Sequence, residues 1–181
     1  MAYLLRTLNL LMIAGILLTM GTAFGFVNFS MSHIQLAIPV FIYTIFAQAF
    51  VMFYFIGVSR LTDNVYFILT SEKNLNELFE NPPEDLMPYK KKVFQFSQEA
   101  TRGKRQTIPW TMLILTLGTL GFLLGGAHDT GVVSKTTHSG VVYGFLAATG
   151  IGFVRQWYYL GKSHVLLRKL KAQFSLPDDA M

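Results

Sequence analysis

Residues 107–127 read TIPWTMLILTLGTLGFLLGGA, with no charged side chain among them. A helix of that length, at 1.5 Å per residue, crosses the roughly 30 Å hydrocarbon core of a bilayer. Residues 8–29 and 34–58 are likewise uncharged, and 139–159 carries a single charge, Arg155. None of these stretches alternates polar and apolar residues as a membrane β-strand does, so helices are the expected spanning elements. The expected fold is all-α: a polytopic membrane protein with four transmembrane helices, residues 1–181 forming a single membrane domain.

Composition agrees with this reading. The chain has 181 residues, 52% hydrophobic and only 14% charged, with a mean hydropathy of +0.42. An ordinary soluble domain carries about 25% charged residues. A water-soluble globule, a nucleic-acid module and a disordered tail are therefore excluded. There is no cysteine, hence no disulfide framework, thiolate metal site or cysteine nucleophile. The first apolar run is longer than the 7–15 residues usual in a signal peptide and lacks a convincing small-x-small cleavage site, so it is read as a retained helix.

Basic residues set the expected orientation. Residues 59–106 hold Arg60, Lys73, Lys90, Lys91, Lys92, Arg102, Lys104 and Arg105, and the tail adds Lys162, Arg168, Lys169 and Lys171. Residues 30–33 have no Lys or Arg, and 128–138 has only Lys135. Both termini and the middle segment are thus expected in the cytoplasm, with the chain in a bacterial inner membrane. The net charge of +5 reads as a topology signal and an attraction to anionic lipid. Nucleic acid is a poor partner, because seven acidic residues interleave with the eight basic ones of 59–106.

That middle segment has its own pattern. Val58, Leu61, Val65, Ile68, Leu75 and Phe79 recur at heptad spacing, Glu72 being the exception, and no Gly or Pro intervenes before Asn81. Helix two is expected to run on as an amphipathic rod until Asn81-Pro82-Pro83 stops it. Pro88 suits the first turn of a returning helix, with Tyr89, Val93, Phe96 and Ala100 on one face. The two form an expected cytoplasmic hairpin over 59–106. It either packs on itself, lies on the membrane, or docks neighbouring subunits or a soluble protein. An amphipathic tail, 160–181, follows helix four, with His164 facing headgroups. Pro109 is placed in the first turn or so of helix three.

Small residues suggest close helix packing. Gly21 and Gly25, Gly121 and Gly125, and Gly140 and Gly144 are GxxxG pairs, and such pairs let membrane helices approach closely. Helices three and four are expected to pack tightly, within one subunit or between subunits.

Chemistry-bearing residues are few. His33, His128 and His138, with Asp129, all fall at the end opposite the basic segments. Imidazoles and a carboxylate suit a divalent metal, and two facing imidazoles suit a haem b; the alternative is that they are ordinary interfacial residues. Arg155 reads as a snorkelling cation or as part of an ion or lipid-headgroup site. Asn9, Gln35, Gln48, Thr116, Thr119 and Thr149 are polar groups at depth that bridge helices or line a polar path. The apolar runs contain no Asp or Glu, which disfavours a self-contained proton relay. No phosphate loop, catalytic triad or HExxH motif is present, so no catalytic residue is assigned and an enzyme is not expected.

Ile108-Pro109 leads to Leu117-Gly118-Thr119-Leu120-Gly121, and helix four carries Ala147-Ala148-Thr149-Gly150-Ile151-Gly152. With a helix prolonged into the cytoplasm and a hairpin back, this layout over about residues 34–160 resembles the proton-channel subunit family of flagellar stator, TolQ and ExbB type. The cytoplasmic portion is short for the stator type. The resemblance implies a homo-oligomeric ring around partner helices that supply the titrating Asp, with Thr116, Thr119, Thr149 and Arg155 facing the pore or partner. The leading expectation is a non-enzymatic, oligomeric inner-membrane subunit of a proton-driven channel or motor. The alternatives are a haem- or metal-binding electron-transfer subunit and a scaffold subunit of a larger membrane complex.

Overall fold

The computed structural model describes residues 1–27 and 30–174. It is all-helical, 85% helix, with four helices long and apolar enough to cross a membrane. These are α1 (Ala2–Ala23), α2 (His33–Ser71), α3 (Met87–Asp129) and α4 (Lys135–Phe174). Residues 28–29 of the first apolar run and 175–181 of the tail lie outside the described residues.

Local chemistry starts and stops each rod. Ser32 and Gln35 cap α2 reciprocally, each side chain accepting from the other's backbone N–H, which satisfies two donors a helix start leaves free. Gln35 is therefore an exposed capping residue and not a polar group at depth. At the other end α2 stops at Ser71, ten residues short of Asn81. Glu72 and Asn74 adopt left-handed φ values of 54° and 62°. The break falls at the position where the apolar heptad fails. Beyond it Leu75, Leu78 and Phe79 fold back onto the hydrophobic core, and Glu72 pairs with Lys90 at 2.7 Å. Asp85 accepts from the Met87 backbone N–H and Pro88 lies in the opening turn of α3.

α3 and α4 are each continuous from the charged region into the apolar one. Pro109 consequently sits inside α3, and residues 160–174 of the tail are the prolongation of α4. This part of the tail does not lie apart on a surface: Leu166, Leu170 and Phe174 bury against Val58, Val65, Leu69, Val93, Phe96 and Ala100. The expected two-helix hairpin is thus a three-helix head built from α2, α3 and α4. Outside that core, Asp63 accepts from Ser97 at 2.5 Å and Ser59 meets Thr101 at 3.5 Å, binding α2 to α3.

In the apolar region α1 joins the same three rods. It packs against α2 and α4, closing a four-helix ring α1–α2–α3–α4. Helices three and four meet within one chain, as close neighbours at several glycines: Gly118 faces Phe145, Gly121 faces Val142, Gly144 faces Leu117 and Gly152 faces Ile114. The Gly21 and Gly25 pair has another use. Phe26 and Gly25 donate backwards to the Gly21 and Thr22 carbonyls, and Gly25 has φ +73°, so the pair ends α1 in a Schellman turn.

α3 ends the same way. Val132 N–H donates to Ala127 and Gly131 N–H to His128, with Gly131 at φ +77°. A side chain at 131 would have to adopt a left-handed conformation that L-residues disfavour. Gly131→Ala is expected to cost about 1 kcal/mol. Gly126→Ala, on the helical last turn facing open space, is expected to cost nothing measurable. Thermal melts of both variants in detergent check the pair.

Candidate functional site

Each helix of the apolar ring contributes one polar side chain to a shared buried cluster. On α1 it is Asn9, in line with buried Leu5, Met12 and Ile16; on α2 it is Gln48, in line with Thr44, Val51 and Phe55. On α3 it is Thr111, between Thr107 and Ile114, and on α4 Gln156, between Gly152 and Leu160. The i, i+3, i+4 spacing of these neighbours is the inner stripe of a helix, and the four residues share it.

They meet. Gln156 Nε2 donates to Gln48 Oε1 at 2.7 Å and to Thr111 Oγ1 at 3.0 Å. Gln156 Oε1 accepts from Asn9 Nδ2 at 3.1 Å and from Gln48 Nε2 at 3.3 Å. Gln48 Nε2 also reaches Asn9 Oδ1 at 3.4 Å and the Met12 sulfur at 3.3 Å. All four residues are at most 1% exposed. Bare amides are costly in an apolar interior, and here each amide oxygen and nitrogen has a partner. Leu5, Val51, Phe55 and Leu160 close the centre toward the head, and Met12, Ile16 and Ala47 pack on its other side.

None of the four residues titrates in the physiological range. The arrangement's chemistry is therefore hydrogen bonding: it pins four helices at one register, because a slip of one residue on any rod withdraws its polar group. Thr149 lies two turns along α4 on the same buried face, and its Oγ1 is buried with no partner among the described residues.

Two arginines brace the ring on the head side. Arg6 Nη2 donates to the Trp157 carbonyl at 3.0 Å, with the guanidinium 4.8 Å from the Trp157 ring. Arg155 donates to Gln106 Oε1 and lies 5.4 Å from the Trp110 ring. Arg155 thus links α4 to α3 by a hydrogen bond and a cation–π contact.

At the opposite end the histidines do gather. The His128 and His138 rings lie nearly parallel, 13° apart with centroids separated by 6.0 Å, and His33 opens α2 and Asp129 ends α3. His128 Nδ1 is taken up by the Val133 carbonyl at 3.1 Å. Among the described residues no group of three or more His, Asp or Glu side chains is arranged to hold a metal ion.

The threonines expected on one pore-facing side are separated. Thr149 is buried inside the ring, whereas Thr116 and Thr119 lie exposed on the outside of α3. Sequence reasoning misses two members of the centre: Gln156 hides beside the more conspicuous Arg155, and Thr111 does not stand out among the deep polar groups. The spacing 149, 152, 156, 160 and 163, all small, polar or apolar and all buried, is the signal that marks Gln156 as inward.

No family model, curated protein or solved structure matches this chain.

Proposed function

We propose that the chain is a non-enzymatic subunit of a membrane protein complex, held in the bilayer by the amide-locked ring and presenting the three-helix head to a protein partner. One observation carries the reading. Phe67 and Phe94, on the α2 and α3 sides of the head, are 70% and 45% exposed, on parts of those helices that lie beyond the apolar stretches. Large aromatics outside a bilayer and outside a core mark protein contact surfaces. Exposed Arg60, Lys91, Arg102 and Arg105 stand on the same two helices, so the surface favoured is apolar with an acidic rim. With the positive-inside bias, the head faces the cytoplasm.

Particle size after gentle extraction from the native membrane tests this. The wild type is expected to migrate as an assembly larger than one chain. Phe67→Ser with Phe94→Ser is expected to reduce it to the free subunit while stability shifts by no more than about 0.5 kcal/mol, as is usual at exposed sites. An assembly indifferent to both substitutions would sink the proposal. A ring of the stator type draws support from Thr116 and Thr119, whose exposed hydroxyls offer a polar strip to a partner helix in lipid. Photo-crosslinking from position 119 to a second protein chain is its expected signature, and labelling of lipid alone counts against it.

A further inference from the structure

The head-side end of α1 meets α4 at a crevice of about 210 Å³ lined by Ala2, Tyr3, Arg6, Gly161, His164 and Val165. The crevice lies at the edge of the apolar layer. Leu8 begins the first apolar run two residues after Arg6, and Trp157, Tyr158 and Tyr159 end the fourth just before Gly161. Aromatic residues of this kind sit at the level of lipid headgroups.

Its lining is cationic and donor-rich, and contains no Asp or Glu. Arg6 reaches across to α4, where the absence of a side chain at Gly161 makes room: a Cβ there would collide with Nη2. Among the described residues Arg6 donates a hydrogen bond from Nη2 alone, to Trp157 O, and its buried Nε–H meets no acceptor. A guanidinium donor left unmatched at the rim of an apolar layer is costly, and an anionic oxygen relieves it. His164 stands across the crevice, edge-on to Tyr3 with ring centroids 5.2 Å apart, adding an imidazole N–H and a phenol O–H. The first turn of α1 beside them carries no acidic residue and no side-chain cap.

We infer that this crevice binds the phosphate of an acidic phospholipid, held by Arg6, His164 and Tyr3, with the acyl chains lying along the outer surfaces of α1 and α4. This goes beyond a diffuse attraction of basic residues to the membrane, because it places the headgroup at one crevice. It also does not depend on the partner proposed for the head.

Native mass spectrometry of the intact protein released from vesicles of phosphatidylcholine with about a fifth phosphatidylglycerol tests it. The wild type is expected to retain phosphatidylglycerol in preference to phosphatidylcholine. Arg6→Gln and His164→Gln are each expected to lower that retention by about tenfold, the loss of one charge-assisted contact. Lys91→Gln, which removes an equal charge on the head, is expected to leave it unchanged. Should Arg6→Gln fail to fold, His164→Gln carries the test, since His164 is outside the buried core. Equal retention of both lipids overturns the site, as does retention unchanged in both variants. Displacement of the lipid by millimolar inorganic phosphate overturns the lipid as its source.

Discussion

Replacing Gln156 by leucine is expected to destabilise the protein by about 2–4 kcal/mol. Interhelical hydrogen bonds in membranes average about 0.6 kcal/mol and reach about 1.7, and Gln156 takes part in four of them. The substitution does more than delete bonds. Among the described residues Gln48 Oε1 accepts only from Gln156 Nε2, and Asn9 Nδ2 donates only to Gln156 Oε1. Both stay behind, fully buried, and an orphaned buried polar group costs about 1–3 kcal/mol. Gln48→Leu with Gln156→Leu removes both halves of the reciprocal amide bond, so the double variant is expected to cost less than the two singles added together. Unfolding in mixed micelles, followed by circular dichroism, measures all three. Strict additivity, or a single-variant cost under about 0.5 kcal/mol, would show that the amides do not lock the ring.

Gly152→Leu is the second large effect. A Cβ at 152 comes within 2.7 Å of Ile114 Cδ1 and 3.5 Å of Trp110 Cβ, and Ile114 is fully buried. Ile114 Cδ1 can turn aside for a Cβ, but the further atoms of a leucine press on a fully buried neighbour and so push α3 and α4 apart. Overpacking of this kind costs about 1–3 kcal/mol and sometimes more. Here the upper end is expected, because parting these rods also stretches the Gln156–Thr111 bond one turn away. Gly150 provides the control on the same helix. Nothing lies within 4 Å of a Cβ there, and Gly150→Leu is expected to be neutral within about 0.5 kcal/mol. Melting temperatures of the two variants in one detergent compare them directly, and equal losses would contradict the packing of Gly152 against Ile114.

The four spans were legible because a bilayer imposes a length and a polarity that show in any window of sequence. The returning stripe of Val93, Phe96 and Ala100 was legible for a similar reason: all three are apolar at helical spacing, and all are buried. The facing stripe on α2 is displaced by a residue in places. Heptad spacing selects Leu61 and Ile68, whereas Thr62 and Leu69 are the fully buried positions. Thr62 looks polar in sequence, yet its hydroxyl is spent on the Val58 and Ser59 carbonyls of its own helix, which leaves an apolar methyl for the core. The amide centre was only half legible. Asn9 and Gln48 stand out as polar residues in apolar runs, but so does Gln35, and only the fold decides which of them finds a neighbour across the ring. The role of the tail was hidden because its place as a third helix of the head depends on α4 running unbroken from one layer into the other.

That continuity has a mechanical consequence. α2, α3 and α4, of 39, 43 and 40 residues, are levers about 60 Å long whose two arms are the head and the apolar ring. A partner that pulls on the head moves the amide centre directly, with no loop between to absorb the displacement. Pro109 has no N–H for the Arg105 carbonyl, which leaves α3 one backbone hydrogen bond short at that point. Arg155 grips Gln106 and Trp110 on either side of that point, acting as a splint from α4. Releasing that one arginine frees α3 to flex while its neighbours stay straight, so load applied at the head would reach the ring unevenly, through α3 last.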